Sequence, residues 1–324
     1  MIIPSTMRAA IISQPKKISI QSVPRPVPKS TEVRVQLEGC GVCGSNFPVW
    51  EGRPWFSYPF DPGSPGHEGW GTVDAVGSEV ENVMPGDRVA LLSYHAFAEF
   101  DIADENALVR LPDSLKGLPC PGEPLACAMN VFRRSQIEPG MTVAVVGIGF
   151  LGALLTNLAV RAGARVIAIS RRPSALDFAK KAGASEIVPL EEKGKVIEQV
   201  KELTDGDLCD IAIEATGFAE PLDLAGELTK VRGRLIIAGY HQDGPREVNM
   251  QLWNWRGLDV INAHEREPAR YLEGLQDAFA TIARGELDPR PFLTHEFPLE
   301  NIDEAFHFMR DRPDDFLKAS IIFS

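Results

Sequence analysis

The feature that most constrains the fold is the stretch of residues 142–172, which is predicted to form a strand, a glycine turn, a helix and a second strand. Residues 142–146 are β-branched and apolar, as in a strand that helices cover on both faces. They lead into a GxGxxG motif formed by Gly147, Gly149 and Gly152. The first glycine permits a tight turn, the second lets a pyrophosphate approach the backbone, and the third lets the helix pack against the strand. This order of elements predicts a dinucleotide-binding unit.

The helix after the turn is predicted to run from Phe150 to Ala162, and Gly163 stops it. Its N-terminal N–H groups and its dipole would face the phosphates of the dinucleotide, so Phe150 and Leu151 are candidate cofactor contacts. Residues 165–169 are the predicted second parallel strand.

The end of that second strand indicates which dinucleotide binds. An acidic residue there would accept hydrogen bonds from the ribose 2′-OH of NAD, but the sequence has Ser170, Arg171 and Arg172. A carboxylate about 4 Å from a 2′-phosphate would repel it by about 4 kcal/mol at an effective dielectric constant near 20, whereas guanidinium groups attract it. A solvated basic loop is the alternative, although arginines are unfavourable at the positive end of a helix dipole. We therefore predict NADP(H).

Strands and helices alternate regularly after residue 123, which predicts an α/β fold with a doubly wound parallel sheet. Thr216, Gly239 and His241 lie just past predicted strand ends, where loops would contact the adenosine and nicotinamide parts of the cofactor. The predicted strands are residues 186–188, 210–215, 234–239 and 258–263, and the predicted helices are residues 175–182, 196–203, 222–231 and 270–284.

Composition limits the classes of protein. With 324 residues, 44% of them hydrophobic, the chain is long enough for two domains with separate cores. The net charge of −12 makes nucleic acid and anionic membranes poor partners, and with no basic run, signal peptide or long apolar segment we expect a cytoplasmic protein. Five cysteines, an odd number without regular spacing, are typical of reduced thiols or a metal site rather than of disulfides.

The N-terminal part is predicted to be antiparallel β-structure, because its short alternating segments are separated by proline-rich turns. Cys43 follows these segments, and His67 and Glu68 come after a loop that has no strand or helix period. A thiol, an imidazole and a carboxylate are zinc ligand types, and ligands from separate segments are typical of a catalytic centre with an open position.

Five motifs stand in a characteristic order along the chain: Cys43-Gly-Ser45, Gly66-His67-Glu68, Gly86-Asp-Arg-Val89, Glu123-Pro-Leu125 and the GxGxxG turn. Together they resemble the zinc-dependent medium-chain dehydrogenase/reductase family, and the match covers nearly the whole chain. The polyol and sugar dehydrogenase branch is the most similar, because in it Glu-Pro-Leu opens the helix that leads to the nucleotide domain.

The resemblance implies a groES-like, mainly β catalytic domain at residues 1–125, a Rossmann domain at 126–267, and a return segment at 268–324 that completes the first domain. It also implies a homodimer or homotetramer, and the apolar segment 258–263 is a candidate pairing edge.

The same resemblance implies roles for single residues. Cys43 and His67 would be zinc ligands, and Glu68 and Glu123 would ligate zinc or hold its water. Ser45 would contact the substrate hydroxyl and carry its proton away.

The chain also departs from the family pattern. Many relatives hold a structural zinc with four cysteines after the GHE segment, but residues 86–113 contain no cysteine, so we expect one zinc ion. Asn46 replaces the usual aspartate, and Pro48 replaces the histidine that ends the proton relay. Either water reaches Ser45 directly, or another group such as His95 serves, or proton release is slower than in relatives.

Other candidate residues have simpler explanations. Cys40 and Cys127 are predicted to be packed thiols, although Cys127 would share a helix face with Glu123. Six aromatic residues between the ligand segments are predicted to wall a substrate pocket, with core packing as the alternative. They are Phe47, Trp50, Trp55, Phe56, Tyr58 and Phe60.

Together these features predict a zinc-dependent NADP(H) oxidoreductase that interconverts a secondary alcohol and its ketone by hydride transfer. We expect a polyol, sugar or cyclitol substrate. The alternatives are a simple alcohol or aldehyde substrate, a metal-free quinone or enone reductase, and a non-enzymatic NADPH-binding protein.

Overall fold

The computed structural model describes residues 5–323, and over that range the chain forms fifteen strands and nine α-helices. Strands β1 to β15 are Thr6–Gln14, Lys17–Pro24, Glu32–Val42, Gly69–Val76, Arg88–Leu91, Phe100–Asp104, Leu108–Arg110, Thr142–Val146, Arg165–Ser170, Glu186–Pro189, Cys209–Glu214, Thr229–Ile237, Asp259–Asn262, His295–Pro298 and Ala319–Ile322. Helices α1 to α9 are Phe47–Glu51, Gly122–Ser135, Phe150–Arg161, Pro173–Lys181, Lys193–Leu203, Ala219–Leu228, Met250–Arg256, Pro268–Ala283 and Ile302–Asp311.

The chain divides into two compact units. The first comprises the chain up to Ala126, Leu275–Arg284 and the chain from Leu293 onwards. The second comprises Cys127–Gly274 and Gly285–Phe292.

The first unit is built on a mixed sheet whose strand order is β14-β15-β3-β4-β5-β7, with β6 also paired to β3. The predicted antiparallel β start is confirmed, because β1 pairs antiparallel with β2 and β3 pairs antiparallel with β4. Strand β15 pairs antiparallel with β3, so the C-terminal segment completes a sheet that the N-terminal segment begins. Alternate residues of β3 (Val33, Val35 and Leu37) are buried in the same hydrophobic core as Phe306 of α9.

The second unit is a parallel sheet with the strand order β10-β9-β8-β11-β12-β13, which confirms the predicted doubly wound α/β fold. Residues 143–146 of β8 are fully buried, because helices cover both faces of a parallel sheet.

The glycine turn after β8 has the geometry that its three glycines predict. Gly147 has φ +100°, a conformation that side chains disfavour. A Cβ at Gly152 would lie 2.0 Å from the carbonyl oxygen of Gly147, so only glycine allows this packing. A Cβ at Gly149, the N-cap of α3, would meet nothing within 4 Å, so the approach to the helix N-terminus is open.

Two local predictions were wrong. The helix predicted at residues 222–231 ends at Leu228, because Thr229 pairs with Cys209 of β11 and begins β12. The loop after Cys43, predicted to be irregular, contains the short helix α1, which has Pro48 in its first turn and ends at Gly52 with φ +94°.

No helix in the described part of the chain combines the length and the apolar character needed to span a membrane.

Candidate metal and nucleotide sites

Sheet register brings the predicted metal ligands of the first unit together. Strands β3 and β4 are antiparallel neighbours with Cys40 opposite Gly69, so Cys43 just after β3 lies beside His67 and Glu68 just before β4. Among residues 5–323, the thiol of Cys43, a ring nitrogen of His67 and a carboxylate oxygen of Glu68 lie within 4.8 Å of one another. A cysteine, a histidine and a carboxylate at this spacing fit zinc.

Hydrogen bonds fix the orientation of the His67 ring. Its Nδ1 lies 2.9 Å from the carbonyl oxygen of Pro65, so Nδ1–H donates there and Nε2 remains for a metal. The Asn46 amide donates to the same oxygen at 3.0 Å and accepts from the Cys43 N–H at 2.9 Å. Ser45 Oγ lies 3.4 Å from His67 Nε2, next to the metal-facing nitrogen.

Glu68 forms a buried ion pair with Lys318, a residue that the sequence analysis missed. Glu68 is 0% and Lys318 5% exposed, and Lys318 Nζ donates to Glu68 Oε1 at 2.7 Å and to the Val42 carbonyl oxygen at 3.0 Å. A Cβ at Gly41 would lie 1.9 Å from Glu68 Oε2, so a glycine is needed to admit the carboxylate. The signal available in the sequence was that Lys318 is the one charged residue in residues 316–322.

The cluster stabilises positive charge. Burial lowers the pKa of His67, but its hydrogen bond to Cys43 and the charges of Cys43, Glu123 and Glu68 raise that pKa well above 6.5. Burial likewise lowers the pKa of Lys318, while Glu68, Cys43 and Glu123 raise it above 10.5. Glu123, near the start of α2, is outside the three-residue group but acts on both cations. The negative charges that raise both pKa values would also attract a metal cation.

The predicted nucleotide residues of the second unit gather at the C-terminal ends of the parallel strands. Gly147 and Gly149 form the turn between β8 and α3, Phe150 begins α3, and Leu151 and Gly152 lie in its first turn. Ser170 ends β9 and is buried, Arg171 is exposed, and Arg172 is the N-cap of α4. Thr216, Gly239 and His241 follow β11 and β12. The open space at Gly149 fits a pyrophosphate at the start of α3.

Comparison with known families identifies the chain. Residues 29–113 match the alcohol dehydrogenase GroES-like domain, and residues 151–279 match the zinc-binding dehydrogenase domain. The chain belongs to the zinc-type medium-chain dehydrogenase/reductase family. This dehydrogenase is thus an oxidoreductase of the alcohol and polyol type that acts on CH–OH groups of small molecules, and its family implies zinc and a nicotinamide cofactor.

Relatives of this dehydrogenase match it along most of its length. Sorbitol dehydrogenase from Bacillus subtilis is 25% identical, over 98% of this chain and 98% of that protein. The NADP-dependent isopropanol dehydrogenase from Thermoanaerobacter brockii is 29% identical, over 80% of this chain and 84% of that protein. The structure of 2R,3R-butanediol dehydrogenase from Bacillus subtilis superposes with a TM-score of 0.84 at 25% identity, over 98% of this chain and 99% of that chain.

The loops after β11 and β12 of the dehydrogenase are joined through Glu214, a second residue that the sequence analysis missed. Its carboxylate is fully buried and accepts hydrogen bonds from Thr216, from the Gly217 N–H at 2.8 Å and from His241 Nε2 at 3.0 Å. Arg246 Nε donates to His241 Nδ1 at 3.2 Å, which requires the imidazole proton to be on Nε2. The signal available in the sequence was a glutamate directly after the apolar run Ile211–Ile213.

Close packing of two glycines also holds the loops after β11 and β12 together, and we call this contact the joint. A Cβ at Gly239 would lie 2.1 Å from the Gly217 nitrogen, and a Cβ at Gly217 would lie 2.5 Å from the Tyr240 carbonyl oxygen. The two loops therefore approach each other as closely as backbone allows, and Gly239 and His241 lie within this joint.

The aromatic residues of the first unit do not all wall a pocket, which corrects part of the prediction. Trp50 is 0% exposed and packs against Phe306 and His307 in the core, because α1 turns its ring inward. Phe47 also packs on this core, whereas Trp55 is 53% exposed. The others, Phe56, Tyr58 and Phe60, form ring contacts among themselves and with Trp55.

Two other cysteines and one histidine considered in the sequence analysis lie outside the three-residue group. Cys40 is a buried thiol, as predicted, and burial raises its pKa well above 9.0. Cys127 is half-buried and its Sγ lies 2.8 Å from the hydroxyl of Tyr271. His95 is exposed, and its backbone N–H donates to Asp101.

Proposed function

We propose that this dehydrogenase is a zinc-dependent NADP(H) oxidoreductase that interconverts a secondary alcohol, as in a polyol, sugar or cyclitol, and its ketone. The observation that carries the proposal is the convergence of Cys43, His67 and Glu68 within 4.8 Å in the first unit. Quinone and enone reductases that work without metal have no need of such a donor set, so the cluster favours metal-assisted chemistry.

Cys43, His67 and a carboxylate from Glu68 or Glu123 would hold the zinc. When bound, zinc would supply a Lewis acid for the substrate oxygen, and a nicotinamide cofactor would supply the hydride acceptor. Lys318 holds the Glu68 carboxylate in place and balances its charge. Glu123 adds negative charge to the same cluster.

Ser45 is the group that takes up the substrate proton. Its hydroxyl lies 3.4 Å from His67 Nε2, so it is next to the metal-facing side of the cluster. Pro48 has no group that carries a proton, and the Asn46 amide is committed to Cys43 and Pro65. The proton therefore passes from Ser45 to water.

The choice of NADP(H) rests on Arg171 and Arg172. They follow β9, where an acidic residue would accept hydrogen bonds from the ribose of NAD. Arg171 and Arg172 directly precede α4, where a 2′-phosphate would also meet the helix N-terminus. The NADP dependence named for the Thermoanaerobacter brockii relative supports this choice.

The substrate class rests on the relatives and on the cluster. Two of the relatives described above are named for sorbitol and for 2R,3R-butanediol, which carry adjacent hydroxyl groups. Carboxylates and Ser45 beside the metal site would accept the hydrogens of such hydroxyls. A simple secondary alcohol is the second candidate, because the Thermoanaerobacter brockii relative is named for isopropanol.

The proposal includes self-association of the second unit. Strand β13 is the last strand of the parallel sheet, and exposed apolar side chains lie on it and on α7 just before it. Trp255 is 87%, Met250 60% and Val260 39% exposed. An unprotected edge beside such a patch favours pairing with a second copy. Sedimentation of the wild type as a dimer or tetramer, shifted towards monomer by Trp255→Lys, would support this assembly, and a wild-type monomer would refute it.

A substrate panel tests the proposed function. Polyols, cyclitols, simple secondary alcohols and enones should be assayed with NADP⁺ or NADPH before and after removal of metal by a chelator. Turnover restricted to alcohols with adjacent hydroxyl groups, lost with the metal and restored by zinc, is the expected result. Enone reduction that resists the chelator would overturn both the substrate class and the role of zinc.

A further inference from the structure

A cavity of about 380 Å³ lies in the first unit and has mostly apolar walls. The titratable side chains in its wall are Asp101 of β6 and His95. The rest of the wall consists of side chains from β1, β2 and β6 and of three prolines. The side chains from the strands are Met7, Val23, Phe100 and Ile102. An apolar cavity with one or two polar groups is typical of a small-molecule site.

Asp101 brings a buried carboxylate to this cavity without an ion-pair partner. It is 4% exposed and accepts hydrogen bonds from the backbone N–H groups of Ile102 at 2.7 Å and His95 at 3.2 Å. Within residues 5–323, no lysine, arginine or histidine side chain forms an ion pair with it. Burial raises the pKa of Asp101, whereas hydrogen bonds and the charge of His95 oppose that rise. A cation in the cavity would therefore stabilise this carboxylate.

The other buried carboxylates of the chain have the partners that Asp101 lacks. Glu68 is paired with the ammonium group of Lys318, and Glu214 accepts from four neutral donors. A carboxylate has about four acceptor positions, and on Asp101 two of them are filled. Two acceptor positions of Asp101 therefore remain for a ligand.

The charges around the cavity favour a cation over an anion. Its wall contains no lysine or arginine, so an anion would meet Asp101 without a positive partner. Arg25 and Arg34 lie over the Phe100 ring, 5.0 and 5.9 Å from its centroid. Their ion-pair partner is Asp74, at 4.0 and 2.6 Å, so these guanidinium groups do not balance Asp101 directly.

The cavity is a neighbour of the metal cluster but is not part of it. None of Cys43, His67 and Glu68 lines the cavity. The ring of Tyr94 lies 6.0 Å from that of His67, and the next residue, His95, lines the cavity. A ligand in the cavity would therefore bind without displacing a metal ligand.

We propose that this cavity is a second ligand site, which binds a small organic ammonium ion with a compact apolar body. The ammonium group would donate hydrogen bonds to the two open acceptor positions of Asp101. The apolar body would contact Met7, Val23, Phe100 and Ile102. A neutral alcohol of the same shape has one O–H donor and no charge, so we expect it to bind more weakly. Neither zinc nor a dinucleotide takes part, so this site stands or falls separately from the proposed function.

The main test compares cyclohexylmethylamine, which is protonated at neutral pH, with cyclohexylmethanol, which has the same shape and no charge. Calorimetric titration of the wild type should show saturable binding of the amine with a Kd of about 1 mM or lower. The alcohol should bind at least about tenfold more weakly. Equal affinity for both probes, or no saturable binding of the amine up to about 10 mM, would overturn the proposal.

Replacing Asp101 tests the carboxylate itself. Asp101→Asn keeps the shape, removes the charge and should weaken amine binding by at least about tenfold. Asp104→Asn is the matched control, because Asp104 ends the same strand but is exposed and accepts from the Asn106 N–H at 2.9 Å. The control should keep amine affinity within about twofold, since an exposed charge is screened. Equal losses in both variants would show a general effect of net charge and would refute the contact with Asp101.

Two further variants locate the bound amine. Val23→Phe adds a ring at the cavity wall without changing Asp101, and it should weaken the amine by at least about tenfold even if Asp101→Asn does not fold. Cys43→Ser removes a ligand of the metal cluster, where an amine could bind zinc directly, and amine affinity should stay within about twofold. Loss of amine binding in Cys43→Ser with full binding in Val23→Phe would place the amine at the metal and overturn the cavity site.

Discussion

The two units each bury a glutamate completely at a candidate site, but they satisfy its charge in different ways. In the first unit Glu68 is paired with the ammonium group of Lys318, 250 residues away in sequence. In the second unit Glu214 is paired with neutral donors, which are two backbone N–H groups, the Thr216 hydroxyl and His241 Nε2.

The ion pair of Glu68 is suited to a site that binds a cation, whereas the neutral partners of Glu214 are suited to a rigid scaffold. The Glu68 carboxylate lies beside Cys43 and His67, so a metal cation bound there would compete with the Lys318 ammonium group for it. Neutral donors around Glu214 instead lock two loops against each other, since each bond ties the carboxylate to a fixed piece of backbone. We therefore expect changes at Glu68 to alter metal binding and changes at Glu214 to alter nucleotide binding.

Removing Lys318 should give the largest effect on stability. Lys318→Met would leave Glu68 buried without a counter-charge, which should lower the free energy of unfolding of the metal-free protein by about 3–5 kcal/mol. Urea unfolding measures this loss. Lys318→Met combined with Glu68→Gln should recover most of it, because no unpaired charge remains. A single variant as stable as the wild type would show that the ion pair does not balance the site.

Removing the arginines after β9 should affect one dinucleotide selectively. Arg171→Gln or Arg172→Gln should weaken NADPH binding by roughly 1.5–3 kcal/mol, about ten- to a hundredfold, because each removes a charge-assisted contact to phosphate. NADH affinity should change little, since NADH lacks the 2′-phosphate. Fluorescence titration with both cofactors measures the ratio, and equal losses for both would refute the phosphate contact.

Replacing Glu214 should weaken both dinucleotides together. Glu214→Gln keeps the shape but turns an NH₂ group towards N–H donors, which should cost about 1–3 kcal/mol for the donors left unpaired. Titration with NADPH and NADH should show parallel losses, whereas zinc content should stay that of the wild type. Unchanged affinity for both cofactors would mean that the joint between the loops does not position them.

The sequence predicted the elements whose residues are neighbours along the chain. The β8-α3-β9 unit was predicted almost to the residue, because glycine chemistry and apolar strands define it locally. Cys43, His67 and Glu68 were predicted as a group because their residue types suit a metal, and the pairing of β3 with β4 then brings them together.

The parts that could not be predicted depend on contacts between distant segments. Lys318 reaches Glu68 only because β15 lies beside β3. A single lysine in an apolar segment is visible in the sequence, but the identity of its partner is not. Arg246 reaches His241 through an irregular loop. Trp50 was placed in a pocket because an aromatic-rich loop does not reveal which rings face inward, and its packing against Phe306 depends on α9.

The smallest expected effect is a pH dependence of the stabilisation that zinc gives at the cluster of Cys43, His67 and Glu68. The raised pKa of His67 stabilises the metal-free fold fully below 6.5, its unfolded value, and this contribution is lost as pH rises through the folded pKa. Zinc binds the neutral imidazole. The rise in melting temperature that zinc causes should therefore grow as the pH increases above 6.5, because fewer protons then compete with zinc for the imidazole. Calorimetry with and without zinc measures it, with Cys43→Ser as the control, and a rise that shrinks with pH would contradict the cluster.

The most direct test of the account is zinc X-ray absorption on purified protein, with metal content and NADPH affinity measured on the same sample. We predict about one zinc per chain, with one sulfur ligand at about 2.3 Å and nitrogen or oxygen ligands at about 2.0–2.2 Å. Cys43→Ser should lose the zinc and the alcohol dehydrogenase activity and keep NADPH affinity within about twofold, because the cofactor binds the other unit. Two zinc ions per chain, a shell of four sulfurs, or zinc that survives Cys43→Ser would contradict the single site at Cys43, His67 and Glu68.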